Sequence, residues 1–436
     1  MSPKTSAFDL SKCARPNILA LEPYRCARDD YKDDGTNILL DANENAYGPG
    51  LALNENGKLS GSATNGVSGD LDVDLLGLNR YPDPHQIELK QDLCNLRNTH
   101  HHTSKTLTPD NLFVGVGSDE AIDALLRAFC IPGKDKILVC PPTYGMYSVS
   151  AQVNDVALAK VPLQGQDFQL DVPGIIDALS NDPTIKLAYL CSPGNPTGSL
   201  LKKSDIQQIL EHPTWNGVVV VDEAYIDFAP EGSSLAEWVT EWPNMVVMQT
   251  LSKAFGLAGI RLGAVFTDPA IARILNSLKA PYNIPNPTSQ LARAALSPKH
   301  MEVMRKNKEL IVKQRDRLLE ELPKVPGVGR FLGGTDSNFL LVEMLDAPAD
   351  RGGKPSNETA LAVYEALAEE KGVVVRFRGK EHGCFGCLRI TVGTEKEVDR
   401  FLEEIRVVLA GIFEKGGKVS PREEERKEKE ASAVVA

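Results

Sequence analysis

No stretch of this chain approaches the roughly 18 to 20 continuous apolar residues that a membrane-crossing helix requires. Nor does the start show the short apolar core of a secretory signal. A basic stripe is missing as well. Asp and Glu number 59 against 48 Lys and Arg, a formal net charge of −11, so nucleic acid finds no electrostatic footprint. The eight cysteines are scattered. Only Cys384 and Cys387 stand close together, after His382, and no second pair completes a zinc set. The remaining cysteines read as reduced thiols, which places the chain inside the cell, with the cytoplasm as the default. His100 to His102 form a run without a surrounding Cys or carboxylate pattern, so a solvated loop is expected there and no metal. Neither the segment 51–76 nor the segment 415–436 shows an internal repeat.

What is present is a large soluble composition: 436 residues, 42% of them hydrophobic, enough for a substantial core and two or three domains. Apolar strand patterns alternate with helical ones, which argues for an α/β fold with a mainly parallel sheet and helices on both faces. Strand candidates are Ile137 to Cys140, Leu187 to Cys191, Val218 to Val221, Val246 to Gln249 and Leu262 to Phe266. A long helical pattern from about Pro287 to Leu322 leads into a smaller α+β part. That part holds Phe339 to Glu343, Val373 to Arg376, Leu388 to Val392 and a helix near Glu395 to Phe413.

The organisation expected is an N-terminal arm (1–50), a Gly-, Ser- and Asn-rich flexible insertion (51–76), a large domain (77–322), a small C-terminal domain (323–414) and a disordered charged tail (415–436).

Four segments carry candidate chemistry. In Thr250-Leu-Ser-Lys-Ala-Phe-Gly-Leu-Ala-Gly-Ile-Arg261, Lys253 sits in an apolar, glycine-rich turn. It is either an ordinary loop lysine or a nucleophile of the kind that forms Schiff bases with carbonyls or pyridoxal phosphate. In Val218-Val-Val-Val-Asp-Glu-Ala-Tyr225 the polar residues come only at the carboxyl end of an apolar strand, where ligands sit in open α/β sheets. Asp222 is then either a turn carboxylate or the partner of a pyridine nitrogen, with Tyr225 placed for a ring oxygen. Asn195, between Gly194 and Pro196, is either turn punctuation or an amide donor to that ring. Gly115-Val-Gly-Ser118 precedes a helical pattern from Ala121 to Cys130, with Ser118 as N-cap. Such a start is either a connector or a phosphate site; the third glycine of the dinucleotide fingerprint is missing.

The order of these four segments resembles the fold-type I pyridoxal-phosphate aminotransferases. Within them it is similar to the histidinol-phosphate aminotransferase family, through Arg15-Pro-Asn-Ile-Leu19, Asp41-Ala-Asn-Glu-Asn-Ala-Tyr-Gly-Pro-Gly50, Asn79-Arg-Tyr-Pro-Asp-Pro84 and Cys387-Leu-Arg-Ile-Thr-Val-Gly393. The resemblance spans about residues 8 to 413, which leaves little room for a transit peptide despite Lys4, Lys12 and Arg15.

It implies a seven-stranded large-domain sheet and pyridoxal 5′-phosphate as cofactor. Lys253 would be the Schiff-base lysine, Asp222 the pyridinium partner, Tyr225 and Asn195 the partners of the ring oxygen, and Tyr144 the stacking aromatic. Ser118, Asp119, Thr250, Ser252 and Arg261 would hold the cofactor phosphate, with Tyr81 reaching in from the other subunit of a homodimer whose sites are shared. Arg389 and Arg376 would bind the substrate anion, and Asn43, Tyr47 and Tyr24 would line the pocket. The implied reaction takes L-histidinol phosphate and 2-oxoglutarate to imidazole-acetol phosphate and L-glutamate, in histidine biosynthesis. An aromatic or broad-specificity aminotransferase of the same fold is the alternative.

Overall fold

The structure, a computed structural model, describes residues 37–41, 43–47 and 82–414. The insertion expected at 51–76, the charged tail at 415–436, Tyr24 and Tyr81 all lie outside the described residues.

Thirteen strands form in these residues. They are β1 (Ile38–Leu39), β2 (Leu112–Val116), β3 (Lys136–Val139), β4 (Ala157–Lys160), β5 (Ile185–Cys191), β6 (Val218–Asp222) and β7 (Met245–Thr250). There follow β8 (Leu262–Thr267), β9 (Val328–Leu332), β10 (Phe339–Met344), β11 (Val373–Val374), β12 (Arg376–Phe377) and β13 (Cys387–Thr391). The helices are α1 (Ile87–Arg97), α2 (Gly117–Phe129), α3 (Met146–Val153), α4 (Val172–Asn181) and α5 (Lys203–Leu210). After them come α6 (Pro269–Leu278), α7 (Asn286–Ala295), α8 (Pro298–Glu321), α9 (Asn357–Lys371) and α10 (Glu395–Glu414).

The large sheet has the expected seven strands, ordered β2-β8-β7-β6-β5-β3-β4, and only β8 runs against the others. Its central strands β6, β7 and β8 are buried along their whole length. Helices cover both faces of such a sheet, so its strands read as continuous apolar runs and not as alternating ones. The chain therefore becomes polar only where these strands end, and β5, β6 and β7 end side by side.

A second, antiparallel sheet, β12-β13-β10-β9, packs with α9, and α10 packs in turn on α9 and α8. Strand β1 of the N-terminal arm pairs with β11 in parallel, Ile38 opposite Val373, and so ties the arm to this smaller unit.

Two expectations are corrected here. The single helix expected from about Pro287 to Leu322 is two helices, α7 and α8, broken at Ser297-Pro298. Proline has no N–H to donate and disfavours helical backbone in the residue before it; Ser297 accordingly has ψ 152°. The single strand expected at Val373 to Arg376 is divided at Val375: Val373–Val374 pairs with β1, whereas Arg376–Phe377 pairs with β13.

Candidate active site

Asp222 is the last residue of β6 and is buried. Its Oδ2 accepts a hydrogen bond from the Tyr147 hydroxyl at 2.6 Å and its Oδ1 accepts from the Ala224 backbone N–H at 3.1 Å. Burial pushes its pKa up to about 6, against the pull of those two donors and of the nearby Lys253 charge. Tyr147 is itself fully buried, stacked on Tyr189 at 4.7 Å and edge-on to Tyr144 at 5.6 Å. Burial and the Asp222 charge raise its pKa well above the usual phenol value, so it remains a donor. The adjacent Glu223 points to the other side of the strand and anchors Ser234, the Leu235 N–H and Gln249.

Lys253 follows β7 in a turn closed by the Gly256 N–H to the Lys253 carbonyl, 3.0 Å. Its Nζ lies 5.8 Å from the centre of the Tyr225 ring. Before it, Thr250 Oγ1 is 2.8 Å from Ser252 Oγ and 2.9 Å from the Leu262 carbonyl oxygen, so both hydroxyls face the segment that carries Arg261.

That segment meets the start of α2. The Gly117 N–H donates to the Arg261 carbonyl at 3.1 Å, and Arg261 Nη2 reaches Asp119 Oδ2 at 3.4 Å. Asp119 Oδ1 also accepts from the Tyr144 hydroxyl at 3.1 Å. Gly117 has φ +71°, and a β-carbon there would fall 2.4 Å from Arg261 Nη2. One on Gly263 would fall 2.3 Å from the Gly117 carbonyl carbon. Both positions thus require glycine.

Ser118 is not the N-cap: the helix opens at Gly117, Val116 holds the cap position, and the Glu120 carboxylate takes the Val116 N–H. Ser118 therefore enters the site as part of the first helical turn, whose backbone N–H groups favour anions.

Asn195 follows β5, and its Oδ1 accepts from Arg389 Nη1 at 2.7 Å. A guanidinium has only donors, so the amide oxygen must face it and the NH₂ points away. Arg389 is buried on β13, donates from Nη2 to the Asp41 carbonyl at 2.6 Å and stands 5.3 Å from the Phe339 ring centre. Burial lowers its pKa to about 9, with the neighbouring Arg378 next in effect, which still leaves it charged at neutral pH.

The expected pocket residue Asn43, with φ 56°, donates from Nδ2 to the Tyr225 hydroxyl at 2.9 Å and accepts from Thr391 Oγ1 at 2.8 Å. It stitches β6's end to β13. Arg376 lies directly opposite Arg389 in the sheet register. Tyr47 stands instead at the start of α10, held by the Glu395 backbone and near the Glu395 and Glu397 carboxylates, with burial the main cause of its raised pKa.

The structure thus brings together Lys253, Asp222, Tyr225, Asn195, Arg389 and Asn43, with Ser118, Asp119, Tyr144, Thr250, Ser252 and Arg261 beside them. Tyr147 and the Asp41 carbonyl belong to the same cluster and were not expected. Tyr147 had one available signal: it is a second aromatic, three residues after Tyr144.

The His100–His102 run is engaged in protein contacts. His102 lies between Lys203 Nζ and the Gly232 carbonyl, each at 2.8 Å. Among the described residues no helix is long and apolar enough to cross a membrane.

The family model for aminotransferase class I and II matches residues 38–405. A histidinol-phosphate aminotransferase of Schizosaccharomyces pombe is 53% identical over 94% of this chain and 100% of its own length. The chain belongs to the class I and II aminotransferases, in the histidinol-phosphate aminotransferase family.

A second relative of that description, from Saccharomyces cerevisiae, is 46% identical over 92% of this chain and 98% of its own. In fold this aminotransferase is similar to a solved histidinol-phosphate aminotransferase of Sinorhizobium meliloti in complex with pyridoxal-5′-phosphate, with a TM-score of 0.72. That match covers 94% of this chain and 100% of the solved one, at 21% identity. The residues of this aminotransferase fit such a cofactor. The glycine-lined start of α2, beside two hydroxyls and Arg261, suits a phosphate, and a buried carboxylate pushed up to about 6 is suited to a cationic ring N–H.

Proposed function

We propose that this aminotransferase moves the amino group of L-histidinol phosphate to 2-oxoglutarate, giving imidazole-acetol phosphate and L-glutamate, as a step of histidine biosynthesis. The observation that carries this reading is the bond from buried Arg389 to Asn195, which joins a site for a substrate anion to the group around Lys253 and Asp222.

When bound, pyridoxal 5′-phosphate supplies an aldehyde that condenses with amines and an electron-poor ring that accepts the electron pair of a broken C–H bond. Lys253 Nζ would hold it covalently at rest and would serve as the base for the proton on the donor's Cα. Asp222, oriented by Tyr147, would favour a positive charge on the ring nitrogen. Asn195 Nδ2 and the Tyr225 hydroxyl would hold the ring oxygen, and Tyr144 would cover the ring face. The N–H groups of Ser118 and Asp119, the hydroxyls of Thr250 and Ser252, and Arg261 bind the phosphate. Arg389 takes the anionic group beside the reacting carbon, a carboxylate in glutamate or a phosphate ester in histidinol phosphate, and Arg376 supports it.

The test compares amino donors. Histidinol phosphate is expected to exceed phenylalanine and threonine phosphate in kcat/KM by at least about 100-fold, the scale on which buried charged contacts discriminate. Equal use of phenylalanine would favour a broad aromatic aminotransferase and overturn the assignment.

The working form in this reading is a cytoplasmic homodimer, with Tyr81 of each subunit completing the neighbouring phosphate site. Sedimentation combined with activity checks it, since a fully active monomer would contradict shared sites.

A further inference from the structure

Arg376 lies opposite Arg389 across β12 and β13. Side chains alternate between the faces of a strand, so Arg378 returns to the face of Arg376 and stands diagonal to Arg389. The Arg378 N–H donates to the Cys387 carbonyl at 2.9 Å, which continues the ladder past the end of β12.

The position of Arg378 is built. Its Nη1 donates to Glu381 Oε1 at 2.6 Å, and the Glu381 N–H returns a bond to the Arg378 carbonyl at 2.9 Å. Asn357, at the start of α9, holds both ends of the loop that follows. It donates to the Gly379 carbonyl at 3.0 Å and accepts from the Gly386 N–H at 2.7 Å. The charge of Arg378 is felt at Arg389 more strongly than that of Arg376.

Buried donors without acceptors are unfavourable, and so are guanidinium charges held near one another. Yet Arg378 Nε and Arg389 Nε are both buried without a hydrogen-bond partner, and Glu381 Oε2 is buried without a donor. Arg389 has already committed Nη1 to Asn195 and Nη2 to the Asp41 carbonyl. Two open Nε–H groups on one face of the sheet are arranged for an anion with several acceptor oxygens.

We propose that Arg378, clamped by Glu381, is a further guanidinium of the substrate-anion subsite and reads the phosphate ester of the amino donor. This rests on the transaminase reading above. A carboxylate carries one charge and two oxygens, and a single guanidinium satisfies it. A phosphate monoester carries nearly twice the charge and three acceptor oxygens, so beyond the remaining N–H edge of Arg389 and the supporting Arg376 it has acceptors for the open Nε–H of Arg378. Arg378 therefore separates the phosphorylated donor from glutamate at a site that both must use.

The experiment uses cofactor-loaded enzyme, wild type and Arg378→Gln, and measures KM and kcat for histidinol phosphate and for glutamate. Calorimetry measures the affinity for inorganic phosphate. The expected result is a KM for histidinol phosphate raised at least about tenfold with kcat changed much less, and phosphate affinity lowered in parallel. KM for glutamate should rise several-fold less than KM for histidinol phosphate. Arg378→Lys, which keeps the charge and loses the fork, should fall between the two, and it carries the test if the glutamine variant does not fold.

Equal shifts for both donors, or an unchanged phosphate affinity, would overturn the proposal. If wild type fails to use histidinol phosphate at all, the functional reading falls. The phosphate measurement then still decides whether Arg378 serves an anion site.

Discussion

Replacing Lys253 with alanine is expected to lower transamination by about 10⁴-fold, the upper range for a positioned acid–base group, while cofactor binding persists. The two effects separate because different elements carry them. The groups proposed for the phosphate come from the start of α2, from Thr250 and Ser252 and from Arg261, and those proposed for the ring are Asp222 and Tyr144; the contacts that hold them in place do not involve the Lys253 amine. Proton removal at the donor's Cα has no other assigned base near Asp222 and Tyr225. Borohydride treatment of wild type should fix a label on the peptide that contains Lys253, and the variant should take none. A variant rate within tenfold of wild type, or a label mapped to another lysine, would refute the role.

Asp222→Asn has the second large effect, and it runs in two directions. In the protein without cofactor the Asp222 pKa is raised from 3.8 to about 6, chiefly by burial. The folded state then binds more protons than the unfolded chain between those values, so stability falls as pH rises through that window. The penalty is complete above it, at about 3 kcal/mol by linkage. Asparagine carries no charge to bury. The cofactor-free variant should therefore be more stable than wild type at pH 8, by up to about 3 kcal/mol, and the advantage should shrink toward pH 4.

Cofactor binding should move the other way. Removing one member of a buried charge pair costs about 2 to 5 kcal/mol, so affinity for pyridoxal phosphate should drop by at least about 30-fold. Transamination should fall further, because the ring nitrogen loses the charge that holds its proton. Chemical denaturation of both proteins at the two pH values checks the stability prediction, and fluorescence titration with the cofactor checks the affinity. A variant less stable than wild type at pH 8 would show that Asp222 is not held at a cost, and unchanged affinity would remove it from the site.

Tyr147 links these two effects. Its hydroxyl is the largest influence opposing the burial that raises Asp222, and its ring lies against both Tyr144 and Tyr189. The aromatic cover and the carboxylate are thus held by one side chain, which suits a site that must fix a ring at its face and at its edge.

How much of this could be read beforehand follows from the kind of interaction. Strands β5, β6 and β7 are buried on both faces, so their sequences are apolar until the strand stops; Asp222 and the loops holding Asn195 and Lys253 stand out against that background. The four motif segments likewise announced the family, because each keeps its chemistry within a dozen residues. The break at Pro298 went unread because helical periodicity continues on both sides of it, and the division at Val375 because the run from Val373 to Arg376 gives no sign that its halves pair with different sheets.

The sequence by itself determined the α/β class, the family, and the order along the chain of the lysine and carboxylate proposed for the site, since local composition and strand burial encode all three. Tertiary structure alone decided which groups meet across long separations. Asn43 bonds Tyr225 at a distance of 182 residues and Arg389 bonds Asn195 at 194, while Tyr147 turns its hydroxyl onto Asp222 from a helix 75 residues earlier. Such contacts depend on how sheets and helices pack, because a buried hydrogen bond needs two groups within about 3 Å in three dimensions and leaves no periodic mark on the chain.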